Sequence, residues 1–443
     1  MTKVCFIKLK EHWRADPYSD PPLGLLSIMA SAKNISFKGK HLDLQLCDMV
    51  DEKIIQKADI YALSTCTPDY PELIRITKQI KQEYGGEVIV GGPHFDVLPD
   101  YIWKKEIDKL PIDIICRGEG EYTFAQAIKF LEEKNKRDEK KIITQEGFFL
   151  DLNSLPFPAR EFLNEDLYFK KGKVFGGDTF SDGNSATMMT SRGCPHHCAF
   201  CASPIIHNRK IRFRSVENIK TEIEMLKKKY GVSEIRFQDD CFALNLKHLK
   251  GLGDMLAETG IKYRCSTRVD QINDQILEEL WKSGCREIGF GIESAEDHVL
   301  KILKKRTSVT QNREALKKTK EKGFRVRSFF MTGLPGETKD SAQKTIDFLE
   351  ETKPDVVTLT SFIPLPGCDI YSDPEKYGVT IQDSDWNNYS IYLRLESGAP
   401  FVHTVNTITP EDMETNREKL KEYLSNRKMF NIATFNVQYK SNI

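Results

Sequence analysis

The chain alternates short apolar runs with amphipathic stretches, and it does so twice. Val4 to Leu9, Leu42 to Leu46, Asp59 to Ser64, Glu87 to Val90 and Asp113 to Cys116 read as strands. Between them, 23–32, 71–83 and 121–133 repeat their apolar residues at helical spacing. A strand–helix alternation buries both faces of a parallel sheet, so the first 150 residues are expected to form an open, doubly wound α/β domain. Such sheets bind ligands at the carboxyl ends of their strands. The loops there are Ser64-Thr65-Cys66-Thr67-Pro68, Gly91-Gly92-Pro93-His94 and Arg117-Gly118-Glu119-Gly120. Their glycines allow a backbone to approach a ligand closely, although ordinary turn-making needs glycine too.

The charged run 132–141 reads as a solvated helix end and loop. Leu155-Pro156-Phe157-Pro158-Ala159-Arg160 is a stiff connector, and 151–185 is taken as a linker. The alternation then resumes over 186–370. Strands are expected at 186–190, 234–237, 262–266, 287–290, 325–331 and 355–359, with helices near 216–230, 246–258, 271–283, 309–322 and 339–351. Six repeats fit a closed or partly closed parallel (β/α)6 barrel, whose reacting groups gather at the carboxyl ends of the strands. Residues 371–443 lack the repeat and read as a small accessory region that covers the barrel mouth. There Tyr371, Trp386, Tyr389, Tyr392 and Arg394 are candidates for a pocket, with aromatic core packing the ordinary role.

Bulk composition excludes several classes. Lys plus Arg equals Asp plus Glu, 65 each over 443 residues, so nothing favours a nucleic-acid or acidic-lipid partner. The first residues do not form a signal peptide and no apolar run approaches a membrane span, so a cytoplasmic location is expected. Eleven cysteines in such a chain read as reduced thiols. Most lie in apolar stretches and pack as small hydrophobes. Three do not. Cys194, Cys198 and Cys201 stand as C-x3-C-x2-C directly after the first barrel strand. Three thiolates are one fewer than a closed tetrahedral zinc site or a fully cysteine-ligated cluster requires. Either a histidine (His196, His197 or His207) completes a structural zinc site, or an iron–sulfur cluster keeps one iron open for a ligand.

The trio, with Phe200 before its last cysteine, resembles the radical S-adenosylmethionine enzymes, specifically the branch with a cobalamin-binding domain (class B methyltransferase-like). The resemblance extends through Phe237-Gln238-Asp239-Asp240, Cys265-Ser266-Thr267-Arg268, Gly289-Phe290-Gly291-Ile292-Glu293-Ser294 and Met331-Thr332-Gly333-Leu334-Pro335-Gly336-Glu337, each after its own strand. Pro21-Pro22-Leu23-Gly24, Gly91-Gly92-Pro93-His94 and Arg117-Gly118-Glu119-Gly120 carry it in the first domain. It implies that Cys194, Cys198 and Cys201 hold a [4Fe-4S] cluster whose open iron binds S-adenosylmethionine. It assigns S-adenosylmethionine contacts to Phe200, Asp239, Asp240, Arg268, Glu293, Ser294 and Met331. It assigns cobalamin contacts to Thr65, Cys66, Thr67, Gly91, Gly92, Pro93, His94, Gly118 and Glu119. No histidine here has the D-x-H-x-x-G context of a cobalt ligand, so a lower axial His is not expected. The implied activity is methyl transfer to an unactivated sp3 carbon through a 5′-deoxyadenosyl radical and methylcobalamin. A small molecule or peptide is the implied substrate, and a flavodoxin- or ferredoxin-like protein the electron donor. Cyclisation, oxidation or rearrangement without methyl transfer is the alternative, and a non-catalytic metal-binding protein a further one. Each motif also has a plain structural reading: Asp239-Asp240 as a helix cap, Arg268 with Glu293 as an ion pair, 333–337 as a turn.

Overall fold

Each return from helix to strand is fixed by local signals. In the second half of the chain the helix Val216–Tyr230 starts where Ser215 Oγ accepts the Asn218 N–H, and ends at Gly231 with φ 63°. Leu246–Thr259 is capped by Asn245 and Asp274–Lys282 by Asn273. Val309–Glu321 opens on a reciprocal Ser308/Gln311 box. These side chains satisfy N–H groups that a helix leaves unpaired at its start. The computed structural model describes residues 1–11, 16–50, 55–134, 140–147, 151–170, 179–389 and 400–427. Tyr392 and Arg394 lie outside them.

The chain divides into two units: 1–12 with 21–164, and 13–20 with 165–443. The first holds a six-stranded parallel sheet in the spatial order Asp43–Asp48, Lys3–Lys8, Ile60–Ser64, Glu87–Gly91, Ile114–Arg117, Lys141–Thr144. Chain order reverses at Lys3–Lys8, which creates a crevice beside the carboxyl ends of Lys3–Lys8 and Ile60–Ser64. The sixth strand was hidden from sequence reasoning because it follows a run of charge and alternates too briefly. The proline connector belongs to this unit, since Ala159 N donates to Leu26 O at 3.0 Å. The division at 164/165 falls inside the stretch 151–185 that was expected to be a linker.

The second unit holds six parallel strands: Asn184–Met188, Val232–Phe237, Lys262–Thr267, Cys285–Glu293, Arg325–Thr332 and Val356–Ser361. They pair strictly in sequence, and the first and last are edges, so the barrel is partial. The Arg264, Glu287 and Arg325 positions are in register across three strands. Glu287 Oε1 bonds Arg264 at 3.2 Å and Arg327 at 2.9 Å. Asp20, from the short segment that joins this unit, accepts Arg236 and Gln238, each at 2.6 Å. Buried charges are tolerated when paired in this way. The accessory region is a two-stranded ribbon, Val379–Ile381 with His403–Val405, and the helix Pro410–Asn426. Trp386 and Tyr389 pack on one another at 4.8 Å, Tyr389 is fully buried, and its hydroxyl bonds Asp383 O. Among the described residues no helix is long and apolar enough to cross a membrane.

Candidate functional site

The cysteine loop leaves the first barrel strand through Thr190, Ser191 and Gly193. Gly193 has φ 96°, and a side chain there would strike the backbone of Lys210, so only glycine fits the approach. Ala199, between the second and third cysteines, is held from both sides. Its N–H donates to Leu303 O at 2.8 Å and its carbonyl accepts Ile370 N at 3.0 Å. Cys201 N closes a turn onto Cys198 O at 3.1 Å. Cys194, Cys198 and Cys201 are all half-buried. Burial pushes the Cys194 thiol up to about 11 and the Cys201 thiol to about 12. Bound metal would reverse that, since it deprotonates a coordinating thiol outright.

The donor set suits a cluster that carries several thiolates. Arg268 Nη1 lies 3.5 Å from Cys198 Sγ. Lys305 is buried with its Nζ 5.7 Å over the Phe200 ring, close enough to Cys198 to feel its charge. Two cations beside one sulfur offset the negative charge that a thiolate-bound cluster brings into a half-buried site. Among the described residues no group of three or more His, Cys, Asp or Glu is placed to hold a single metal ion.

The residues expected around S-adenosylmethionine divide into two groups. Asp240 is exposed at the carboxyl end of the second strand, where its charge reaches both Cys194 and Cys201. Asp239 is engaged within the protein. It is buried, and its oxygens accept Thr190 N (3.0 and 3.1 Å), Thr190 Oγ1 (2.7 Å) and Ser191 Oγ (2.5 Å). It is a positioning residue for the turn into Cys194. The next helix is capped by Asn245, so the Asp pair is not a helix cap either. Arg268 spends its fork on Asp270 at 2.9 and 2.8 Å and reaches Lys305 O at 2.6 Å. Instead of a free partner for a substrate carboxylate, it is a sulfur donor fixed by Asp270.

Glu293 pairs with Lys305, not with Arg268, at 2.9 Å. It sits at φ 66°, beside a register shift in the fourth strand. A non-glycine residue held there reflects local strain, which clusters at functional sites. Ser294 is buried, its Oγ accepting the Glu296 N–H at 3.2 Å. Met331 and Phe200 pack against one apolar cluster that includes Leu334, Phe362 and Phe401. The loop after Met331 is more than a turn. Gly333 N donates to Glu337 Oε2 at 3.0 Å, and Gly333 O meets His403 Nε2 at 2.8 Å, so the accessory ribbon braces it. Sequence reasoning missed Lys305, Asp270 and Thr190. Only the Lys304-Lys305-Arg306 run hinted at the first, and a charge run ordinarily reads as solvated surface.

In the first unit the three glycine loops are stitched into one rim. Thr65 N donates to Gly91 O at 3.0 Å and His94 N to Thr65 O at 3.2 Å. Gly118 N reaches Asp96 Oδ1 at 2.7 Å, and Glu119 N reaches Gln145 Oε1 at 2.9 Å. Gly92, at φ 100°, packs so tightly that a Cβ would lie 2.6 Å from Ser64 Oγ. Thr65, Thr67 and Glu119 are buried, and the Cys66 thiol donates to Asp69 at 2.8 Å. The rim lies at the carboxyl ends of Ile60–Ser64, Glu87–Gly91 and Ile114–Arg117, where the crevice rule puts a ligand. His94 is fully buried inside it, its ring 4.2 Å from Tyr70 and its Nδ1 3.1 Å from Thr67 Oγ1. Burial pulls it down to about 3, so it stays neutral. Its contacts with Thr67 and Tyr70 prop the Gly-Gly-Pro loop. The rim offers a bound cobalamin backbone groups and small side chains.

A parallel open sheet with a ligand rim, followed by a partial barrel with three cysteines at its mouth, defines a two-cofactor enzyme. The profile of the radical SAM superfamily matches residues 188–349, and that of the B12 binding domain matches residues 17–128. The chain belongs to the radical SAM superfamily, in its cobalamin-binding branch. It is 29% identical over 370 residues to an uncharacterized methyltransferase of Pyrococcus horikoshii, covering 78% of this chain and 77% of that one. It is 23% identical over 376 residues to the anaerobic magnesium-protoporphyrin IX monomethyl ester cyclase of Cereibacter sphaeroides, covering 80% and 60%. Its fold is similar to that of TsrM from Kitasatospora setae, a radical S-adenosylmethionine methyltransferase solved with cobalamin and a [4Fe-4S] cluster. The TM-score is 0.67 at 14% identity, covering all of this chain and 93% of that one.

Proposed function

We propose that this enzyme transfers a methyl group to an unactivated sp3 carbon of a small molecule or peptide, in the cytoplasm. Residues 186–370 would serve as the reacting barrel and 371–443 as the region that braces it. The carrying observation is the Cys194–Cys201 loop, pinned through Ala199 and flanked by Arg268 and Lys305. The cluster with S-adenosylmethionine supplies radical chemistry when bound, and cobalamin supplies a carrier for the methyl group. Cys194, Cys198 and Cys201 would ligate the cluster. Asp240 would accept hydrogen bonds from the methionine ammonium. Phe200 and Met331 would wall the adenine, and the Gly333 loop, held by Glu337 and His403, would close that wall. Arg268 and Lys305 keep negative charge at the site tolerable, and the apolar cluster behind Phe200 excludes water. A one-electron donor protein would supply the electron that reduces the cluster.

The test is anaerobic turnover with S-adenosylmethionine and candidate substrates. S-adenosylhomocysteine formed together with 5′-deoxyadenosine supports methyl transfer. 5′-Deoxyadenosine without S-adenosylhomocysteine would favour cyclisation or oxidation, the reading that similarity to the cyclase supports. In parallel, Cys198→Ala should abolish the broad visible iron–sulfur band of the reconstituted protein. An unchanged band would refute the ligand assignment.

A further inference from the structure

The cysteine loop is bonded to a basic segment of which the chemistry above uses only Lys305. Leu303 O holds Ala199 N, and the chain continues as Lys304-Lys305-Arg306. Lys305 turns inward onto Glu293. Lys301 and Arg306 are exposed and Lys304 half-buried, and together with Asp297 and Thr307 they line a shallow cleft. Arg209, from the turn after Ser203–Ile206, adjoins them: Asp369 lies 2.7 Å from Lys304 Nζ and 3.8 Å from Arg209 Nη2. Four cations thus face two carboxylates, Asp297 and Asp369, on a chain whose formal charge is zero. The backbone marks the same place. Of seven non-glycine residues at positive φ among the described ones, Arg209, Lys304 and Arg306 carry these cations, at 52°, 50° and 58°. Conformations that sterics disfavour persist where the surrounding structure enforces them, often at functional surfaces.

We propose that this surface docks an acidic one-electron carrier protein, a reduced flavin or iron–sulfur protein, which reduces the cluster. The inference rests on the cluster reading above. The carrier loses one electron and the cluster gains one, with no bond or proton moved. Charge complementarity would steer the encounter and make it salt-dependent. The hydrogen bond between Leu303 and Ala199 places a docked carrier against the loop that holds the cluster.

The test compares the reconstituted holoenzyme with a Lys301→Glu, Arg306→Glu double variant, and with Lys317→Glu toward the far end of the helix Val309–Glu321 as control. Reduction of the visible band is followed with reduced flavodoxin and, separately, with dithionite, which needs no protein docking. The double variant should lose at least tenfold in flavodoxin rate at low ionic strength and show a flattened salt dependence. Its dithionite rate, and both rates of the control, should stay unchanged. Oxidised flavodoxin titrated calorimetrically against cluster-free protein should bind the double variant more weakly. Unchanged flavodoxin rate and binding in the double variant would overturn the proposal, as would an equal loss with dithionite. Failure of the cluster reading looks different: no visible band forms, while the cluster-free titration still reports docking.

Discussion

Replacing Asp239 separates a residue that builds the cysteine loop from one that touches a ligand. The carboxylate accepts from three buried donors, Thr190 N, Thr190 Oγ1 and Ser191 Oγ. In Asp239→Ala all three lose their acceptor. Leaving a buried donor unsatisfied costs about 1–3 kcal/mol each. The sum is roughly 3–9 kcal/mol, reduced to about 3–5 kcal/mol where water enters the space or a hydroxyl rotates. That is a large share of the roughly 5–15 kcal/mol that holds a domain together. Thr190 and Ser191 lead directly into Cys194, so the loss falls first on the loop. Asp239→Ala should therefore retain much less iron after anaerobic reconstitution, and its thermal midpoint should fall by several degrees. Asp239→Asn, with one acceptor oxygen left, should sit between. Asp240→Ala leaves the bonds to Thr190 and Ser191 in place and should keep its iron, its melting temperature and its visible band. Its S-adenosylmethionine affinity, read by equilibrium dialysis, should fall instead. The reasoning fails if Asp239→Ala holds iron at the wild-type level and loses only S-adenosylmethionine affinity, because Asp239 would then be a direct contact.

Two further outcomes are expected. Burial pushes the Glu337 carboxyl up to about 8, against hydrogen bonds from Leu334 and Gly333 and with help from Glu296. The folded state therefore binds a proton that the unfolded chain releases near 4.5. Stability from this group is full below that value and is lost as pH rises to about 8, on the order of 3–5 kcal/mol at most. Glu337→Gln should flatten the fall in denaturation midpoint between pH 5 and 8.5, and a parallel fall in both proteins would refute the assignment. Arg268→Gln removes the donor to Cys198 Sγ. Losing about 1.4 kcal/mol of stabilisation of the more negative cluster should lower its reduction potential by about 60 mV. A redox titration followed by visible absorption checks this, and an unchanged or raised potential would overturn it.

The fold was largely legible because both sheets are parallel. Strands buried on two faces read as apolar runs, helices between them carry caps and terminal glycines, and both signals are local. Leu23–Ala32 and Val216–Tyr230 agree with the structure to the residue. What escaped was short, or lacked the repeat: Lys141–Thr144, Asp297–Ile302 and the helix Pro410–Asn426. The site was legible by position but less so by role. His94 stands in a loop expected to face a ligand, and only the structure shows its ring buried and neutral against Tyr70.

By itself the sequence determined that three thiolates share one loop, that this loop follows the first of six strand–helix repeats, and that glycine loops end the strands of the first domain. Spacing and periodicity are properties of neighbouring residues, so no tertiary information was needed. Only the tertiary structure decided which charge meets which. Arg268 and Glu293 stand 25 positions apart in the chain. Each finds a nearer partner, Asp270 and Lys305, in the segments that follow their strands. Which of several charges comes within a few ångströms is set by the path of those segments, and no charge pattern in the sequence encodes it. The same holds for the basic surface at Lys301 and Arg306. In the sequence it is a charge run like several others, and it becomes distinctive because Leu303 hydrogen-bonds to the cysteine loop.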